Sequence, residues 1–578
     1  MTSTTVRPPA PPQAPRTTRT ALWPALALAF STAVVLVWAV AALLSAGHGF
    51  DTTDEGFYLL SYRWWDADHR NFTGAAYLYG PVFDLLGHDI AALRVFRLIT
   101  VLGVHAVFGW SFMRWLRMRR PNAPPARLWE AAGTTAIMAA GGTLYGWLPA
   151  TPGYNDPVLL GALLGLAAVF AMAACADRGQ RAPAWLQFAL GAVTVPILLA
   201  KWAAMPVVLL VGAAAVISAR LRLRGTGWAL AGFATALAVL HFAVVPLTVA
   251  IPPLVAVNRL LADGSMSFPV LIERYWTTSL PMLRALLLHY GPLLAAGVLA
   301  ARSVRPVVRA LGFAALAVAA GWAITGGGLG GGAVNVLKFV VPFLAVIAYA
   351  LVTGMAGGMR RYGVLFGTLA LLPLVYALGT GNIPLKVSIN AFAAWMAVLI
   401  GVLTGLPRAR ALTAAVAATS LVATACVATG GLWRHPYRGV PRGEATAIAP
   451  GVPALASVRL DPAAARQYGE LRARLASYVD PPGRAIIGFD KMAGIVFLLD
   501  GRSVGELWYA SNDRARSAIG IAEACADDPW WGARPPLLIF NRPIHPADRA
   551  VLDRCGFRIG GNYRLLTRTA GLTVYAPA

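Results

Sequence analysis

Carboxylates are scarce in the first three quarters of this 578-residue chain, and they are not evenly spread. Residues 1–430 hold 12 Asp and Glu, and seven of them are Asp51, Asp54, Glu55, Asp66, Asp68, Asp84 and Asp89. Even solvation of a surface would not gather more than half in one stretch. A carboxylate held near a hydroxyl can take its proton in a transition state, an effect of about 10²–10⁴-fold. The adjacent pair Asp54–Glu55 is the sharpest candidate for such a base. A second candidate is Asp156, in Thr151-Pro-Gly-Tyr154-Asn155-Asp156-Pro157. By itself it reads as a turn residue before Pro157.

The cations are as informative. The chain has 45 Arg and only four Lys, at 201, 338, 386 and 491. Lys201, Lys338 and Lys386 fall between long apolar runs. Each could snorkel to lipid phosphates or serve as a point charge for a substrate phosphate. Arg259, Arg274 and Arg284 compete for that second role. Aromatic residues interleave the acidic stretch: Phe57, Tyr58, Tyr62, Trp64, Trp65, Phe72, Tyr77 and Tyr79. By themselves they read as an aromatic belt on a helix lying at a membrane surface. The six glycines of 326–332 lack the Lys-Ser/Thr ending of a phosphate loop, and His105 reads as a packed helix residue.

The elements that must position these groups are hydrophobic spans. Hydrophobic residues make up 58% of the chain and charged residues 13%, with a mean hydropathy of +0.62. Soluble domains carry about 25% charge. Apolar runs of roughly 18–25 residues suffice to cross a bilayer. They fall at 21–46, 92–113, 129–149, 158–176, 183–200, 202–219, 227–250, 286–301, 310–325, 339–356, 362–379, 388–406 and 411–430, which predicts a polytopic α-helical membrane protein of about thirteen transmembrane helices. Only Lys201 divides 183–219. An unbroken helix there would be about 55 Å long against a core of about 30 Å, so a tight turn at Lys201 is expected.

The net charge of +24 sits in short clusters between the runs. That pattern is the positive-inside bias, and no nucleic-acid partner is expected. With the N-terminus cytoplasmic, the inner segments carry 20 basic residues and the outer side and span ends 10. The sequence therefore divides into a disordered cytoplasmic tail at 1–20, a membrane region at 21–430 and a soluble α/β domain at 431–578 on the outer face. The first outer loop is 47–91 and a second long one is 251–285. In the last domain, 462–478 reads as an amphipathic helix, and 485–489, 494–499 and 536–540 read as buried strands. Cys525 and Cys555 are the domain's two cysteines. Bonded in an oxidising compartment, they would close a loop of about 30 residues and contribute about 3–4 kcal/mol.

An N-terminus inside, one crossing and then an acidic pair resembles the GT-C superfamily of membrane glycosyltransferases, including its protein O-mannosyltransferase and aminoarabinose-transferase members. Asp51-Thr-Thr-Asp54-Glu55-Gly-Phe-Tyr58 is similar to the family's Asp-Glu motif. Thr151–Pro157 resembles its short second outer loop, and Gly379-Thr-Gly-Asn382 resembles a late outer-loop motif. The resemblance covers about 1–430 and lacks a subfamily signature. It implies transfer of a sugar from a polyprenyl-phosphate donor to a hydroxyl on an envelope glycan, lipid or protein, outside a bacterial plasma membrane. Asp54 would be the base, Glu55 would orient or shape the site, and Tyr154, Asn155, Lys201, Lys338 and Lys386 would contact substrate. A divalent cation is used by some members and not by others, so the resemblance implies that Asp156 could join Asp54 as an oxygen ligand for Mg²⁺ or Mn²⁺. The rival reading is a transporter or flippase of a lipid-linked sugar. Such proteins often show repeats and intramembrane charges in broken helices; here no repeat is evident and the charges gather on one face. A third is a non-catalytic protein whose outer domain binds a cell-wall partner.

Overall fold

The computed structural model describes residues 19–119, 126–219, 223–263, 267–303, 363–405, 410–509, 514–527, 530–569 and 571–578, with scattered positions from 305 to 314. Most of the first 430 residues so described are helical. The helices are α1 (Arg19–Ser45), α2 (Asp54–Arg63), α3 (Ala76–Leu85), α4 (Ile90–Met118), α5 (Ala126–Ala140), α6 (Asn155–Asp177), α7 (Ala184–Ala192), α8 (Thr194–Ala200), α9 (Met205–Ser218) and α10 (Leu223–Val239). After them come α11 (Leu247–Asp263), α12 (Phe268–Arg302), α13 (Gly363–Tyr376), α14 (Pro384–Ser388), α15 (Phe392–Gly405) and α16 (Arg410–Thr429).

Among the described residues, five segments are long and apolar enough to cross a membrane: Leu22–Ser45, Ile90–Met118, Asn155–Asp177, Leu223–Val244 and Pro384–Val402. Shorter apolar helices occupy Ala184–Ala200, Trp202–Ser218, Leu247–Ala262 and Gly363–Tyr376. The expected run at 339–356 lies outside the described residues, as do nearly all of 310–325, most of the N-terminal tail, the glycine-rich 326–332 and Lys338. The helix breaks where expected: Lys201 is extended (φ −158°, ψ 106°) between Ala200 and Trp202. α6 lies at the centre, packed by α4, α7, α8 and α9. Its buried residues lie all round the helix, as in a helix enclosed by others. α1 packs on α5 and α16.

Three expectations are corrected. The stretch 251–285 is mostly helix rather than a loop. Leu254 and Val257 recur at helical spacing and are buried, which continues the apolar face of α11 beyond its span. The aromatics of 47–91 do not form a surface belt. Phe57, Tyr58, Tyr62, Tyr77 and Tyr79 are buried, because a second body covers the loop. That body is the C-terminal unit, and within it 494–499 is mainly a helix and not a strand.

The C-terminal unit contains α17 (Pro462–Val479), β1 (Ala485–Gly488), α18 (Ala493–Leu498), β2 (Arg502–Ser503), α19 (Arg514–Asp527), β3 (Leu537–Phe540), α20 (Pro546–Arg554), β4 (Tyr563–Thr569) and β5 (Leu572–Pro577). α17 starts where the Asp461 carboxylate accepts from the Ala463 and Ala464 N–H groups, an N-cap. The sheet order is β2-β1-β3-β5-β4, parallel from β2 to β3 and antiparallel beyond. A short fully buried apolar run has no periodicity to separate strand from helix, which is why α18 was read as a strand. Cys525 and Cys555 form a disulfide between the end of α19 and the end of α20, with Cα atoms 5.7 Å apart.

Candidate functional site

The first loop is held on one side by the membrane helices and on the other by the C-terminal unit. α2 meets α18 backbone to backbone. A Cβ on Gly56 would lie 2.3 Å from the Gly494 Cα, and a Cβ on Gly494 2.4 Å from the Thr52 Cα. The Gly494 N–H donates to the Thr52 carbonyl at 2.8 Å. Trp64 Nε1 donates to the Gly501 carbonyl at 2.8 Å, and Arg63 pairs with Asp500 at 3.2 Å. Arg502 Nε donates to Asp68 at 2.6 Å. Burial pushes the Asp68 carboxyl up to about 6, opposed by Arg502. Arg70 pairs with Glu523.

Within this frame the three candidate carboxylates have different surroundings. Glu55 is only 3% exposed. Arg94 Nη2 reaches its two oxygens at 2.8 and 2.9 Å. The Thr151 hydroxyl and the Asp51 N–H also donate to it. Arg94 in turn donates to the carbonyls of Ala46, His48 and Gly49 at 2.8, 3.0 and 2.7 Å. Glu55 thus pins the exit of α1 to α4 and shapes the site, with no oxygen free for proton transfer.

Asp156 is 1% exposed. Arg97 donates to one oxygen at 3.0 Å and pairs with the other at 3.0 Å, where the Gly153 N–H also donates at 2.8 Å. This fastens the start of α6 to α4 and leaves neither oxygen uncommitted for a cation. Among the described residues no group of three or more His, Cys, Asp and Glu has metal-site spacing.

Asp54 alone is partly open, with 31% of its side chain exposed. It stands at the N-terminus of α2, and its Oδ2 accepts from the Tyr437 hydroxyl. Arg438 Nη1 lies 3.5 Å from the same oxygen, and Arg438 also donates to the Thr53 hydroxyl. Burial, then the charge of Asp54, raises the Tyr437 phenol far above its usual value, so it remains an O–H donor. A cavity of about 40 Å³ adjoins, lined by His48, Asp51, Glu55, Arg94, Pro436 and Tyr437 among others. Burial also raises the Asp51 carboxyl.

A run of aromatic and polar groups leads from Asp54 to Lys201. Tyr58 and Tyr154 have ring centroids 6.1 Å apart, and Phe72 lies 5.7 Å from Tyr154. Burial, then the nearby Asp54 charge, pushes the Tyr154 phenol up to about 12. The Tyr376 hydroxyl donates to the Asn155 carbonyl at 3.5 Å, and Lys201 Nζ sits 6.0 Å from the Tyr376 ring centroid. Lys201 is 6% exposed, and its ammonium has no hydrogen-bond partner among the described residues. It points inward, which excludes snorkelling. Lys386 is half-buried, with Nζ 4.0 Å from the Trp147 ring centroid.

His105 is buried, its Nδ1 hydrogen-bonded to the Val101 carbonyl at 2.7 Å, as a packed helix residue would be. Sequence reasoning passed over Arg94, Arg97, Tyr437 and Arg438. For the arginines a signal existed: two guanidinium groups three apart on an apolar helix need partners. For Tyr437–Arg438, nothing local marks a contact with residues almost 400 positions away. No family model, curated protein or solved structure matches the chain.

Proposed function

We propose that this is a membrane glycosyltransferase acting outside a bacterial plasma membrane, with a polyprenyl-phosphate sugar as donor and a hydroxyl-bearing envelope molecule as acceptor. The observation that carries the reading is the contrast among the carboxylates. Glu55 and Asp156 are sealed in buried arginine pairs, while the Asp54 side chain stays 31% exposed at the start of α2. The acceptor oxygen attacks the anomeric carbon and its proton passes to Asp54. The bond to phosphate breaks with its electron pair, and the polyprenyl phosphate departs with inversion at carbon. That leaving group needs positive charge rather than an acid. Lys201, whose ammonium has no hydrogen-bond partner among the described residues, supplies it, and Lys386 is a further cation of the same region. Thirteen spans, an inner N-terminus and an outer C-terminal unit belong to the reading. The Cys525–Cys555 disulfide supports the outer placement, since such bonds persist in oxidising compartments.

The test is Asp54→Asn, assayed for sugar transfer in membranes holding equal amounts of mutant and wild-type protein. Transfer should fall by about 10²–10⁴-fold, with unchanged insertion and thermal midpoint. Full transfer by the mutant would remove Asp54 as the base. A flippase would move the lipid-linked sugar across vesicles and form no product.

A further inference from the structure

The residues touching the Asp54 carboxylate come from the turn that joins the last membrane-region helix to the C-terminal unit. Pro436, Tyr437, Arg438 and Gly439 form it, closed by the Gly439 N–H donating to the Pro436 carbonyl at 3.1 Å. Arg438 has φ +50°, a left-handed conformation that side chains other than Gly, Asn and Asp seldom adopt. Strain of this kind persists where surrounding contacts over-determine it, and it gathers at switch regions. The contacts that hold it join Arg438 to Thr53 and Asp54, with its guanidinium 5.0 Å from the Tyr437 ring centroid. Arg438 and Gly439 are exposed and Tyr437 is half-buried, so no packed core opposes an outward movement. The phenol gives its hydrogen to Oδ2 of the Asp54 carboxylate, the same oxygen that Arg438 faces at 3.5 Å.

We propose that Tyr437 is an internal stand-in for the acceptor. Its hydroxyl occupies the position from which an acceptor alcohol passes its proton to Asp54, and the 436–439 turn must swing away before transfer. The inference rests on Asp54 being the base. It adds that the acceptor enters from the side of this turn, in the space the Tyr437 ring fills. An alcohol carried on a ring of similar size, as in a glycan, fits that space.

The experiment uses the full chain in membranes, with a carbodiimide as the probe of the Asp54 carboxylate. Labelling of the peptide containing residues 51–63 is followed by mass spectrometry, with Asp54→Asn as the control that assigns the site. Tyr437→Phe keeps the ring and removes the donor. Arg438→Gly keeps the turn, since glycine accepts positive φ, and removes the ion pair. Labelling should rise about tenfold in the double variant, the scale of a hydrogen bond to a charged group, and transfer to the endogenous acceptor should quicken in Tyr437→Phe. Unchanged labelling overturns the proposal. Raised labelling with slower transfer overturns it too, because Tyr437 would then position Asp54 rather than block it. Transfer retained by Asp54→Asn removes the base reading and this inference with it.

Discussion

Arg94 and Glu55 should behave as one unit when the protein is unfolded, and the size of that coupling follows from their contacts. The guanidinium binds both Glu55 oxygens and three carbonyls, and both side chains are under 5% exposed. Arg94→Ala leaves a buried carboxylate facing nothing but Thr151 and a backbone N–H. Breaking a buried pair from one side costs about 3–5 kcal/mol. Glu55→Met should cost less, because the guanidinium keeps its three carbonyls. The double variant Arg94→Met/Glu55→Met removes both charges and fills the volume, a change often close to neutral for the pair itself. Three carbonyls then lose a donor, at about 1 kcal/mol each. The double variant should therefore be clearly milder than the sum of Arg94→Met and Glu55→Met, with a coupling of about 2–3 kcal/mol. Denaturation of purified protein in detergent, followed by tryptophan fluorescence, gives the four free energies of the cycle. Additivity within about 0.5 kcal/mol would refute the claim that Glu55 is held by Arg94 rather than free for chemistry.

Lys201→Met should leave stability unchanged or raise it, since a buried ammonium without a partner is costly, while weakening donor use; a fall in thermal midpoint with unaltered donor KM would count against the phosphate role. Gly56→Ala should cost about 1–3 kcal/mol, because its methyl would enter the Gly494 backbone. Gly103→Ala, with nothing within 4 Å of the added carbon, is the matched control, and equal midpoints would show that α2 and α18 can part freely. Replacing Cys525 and Cys555 by serine should lower the stability of the C-terminal unit by about 3 kcal/mol, seen as faster proteolysis within 431–578; an unchanged digestion rate would argue against the bond.

The helices of the membrane region were legible because apolar length alone marks them: α1, α4, α6 and α16 all begin and end within a few residues of their runs. The break at Lys201 was legible for the same reason, as one charge in a run too long for the bilayer. What the sequence hid was which acidic residues stay free. Asp54 and Glu55 are neighbours of similar chemistry, and only the register of α4 decides that Arg94 meets one of them. The aromatic residues of the first loop were misread because their covering surface lies in another part of the chain. The 494–499 run was misread because burial on all sides erases periodicity.

The bond between the Gly49 N–H and the Arg459 carbonyl, and its return from Arg459 to Gly47, bears on how the protein is made. The loop at 47–91 emerges early in synthesis, yet its cover is encoded about 400 residues later. At about 5–20 residues per second, tens of seconds pass before Tyr437, Gly494 and Arg502 exist to close over it. During that time aromatics such as Phe57 and Tyr62, buried in the finished chain, lack the cover of the C-terminal unit. A chain cut short anywhere before residue 431 would insert its helices and still lack every contact that the C-terminal unit makes with the loop. Completion of the site is thus tied to completion of the chain, and nascent or truncated copies present an unfinished loop to quality-control proteases.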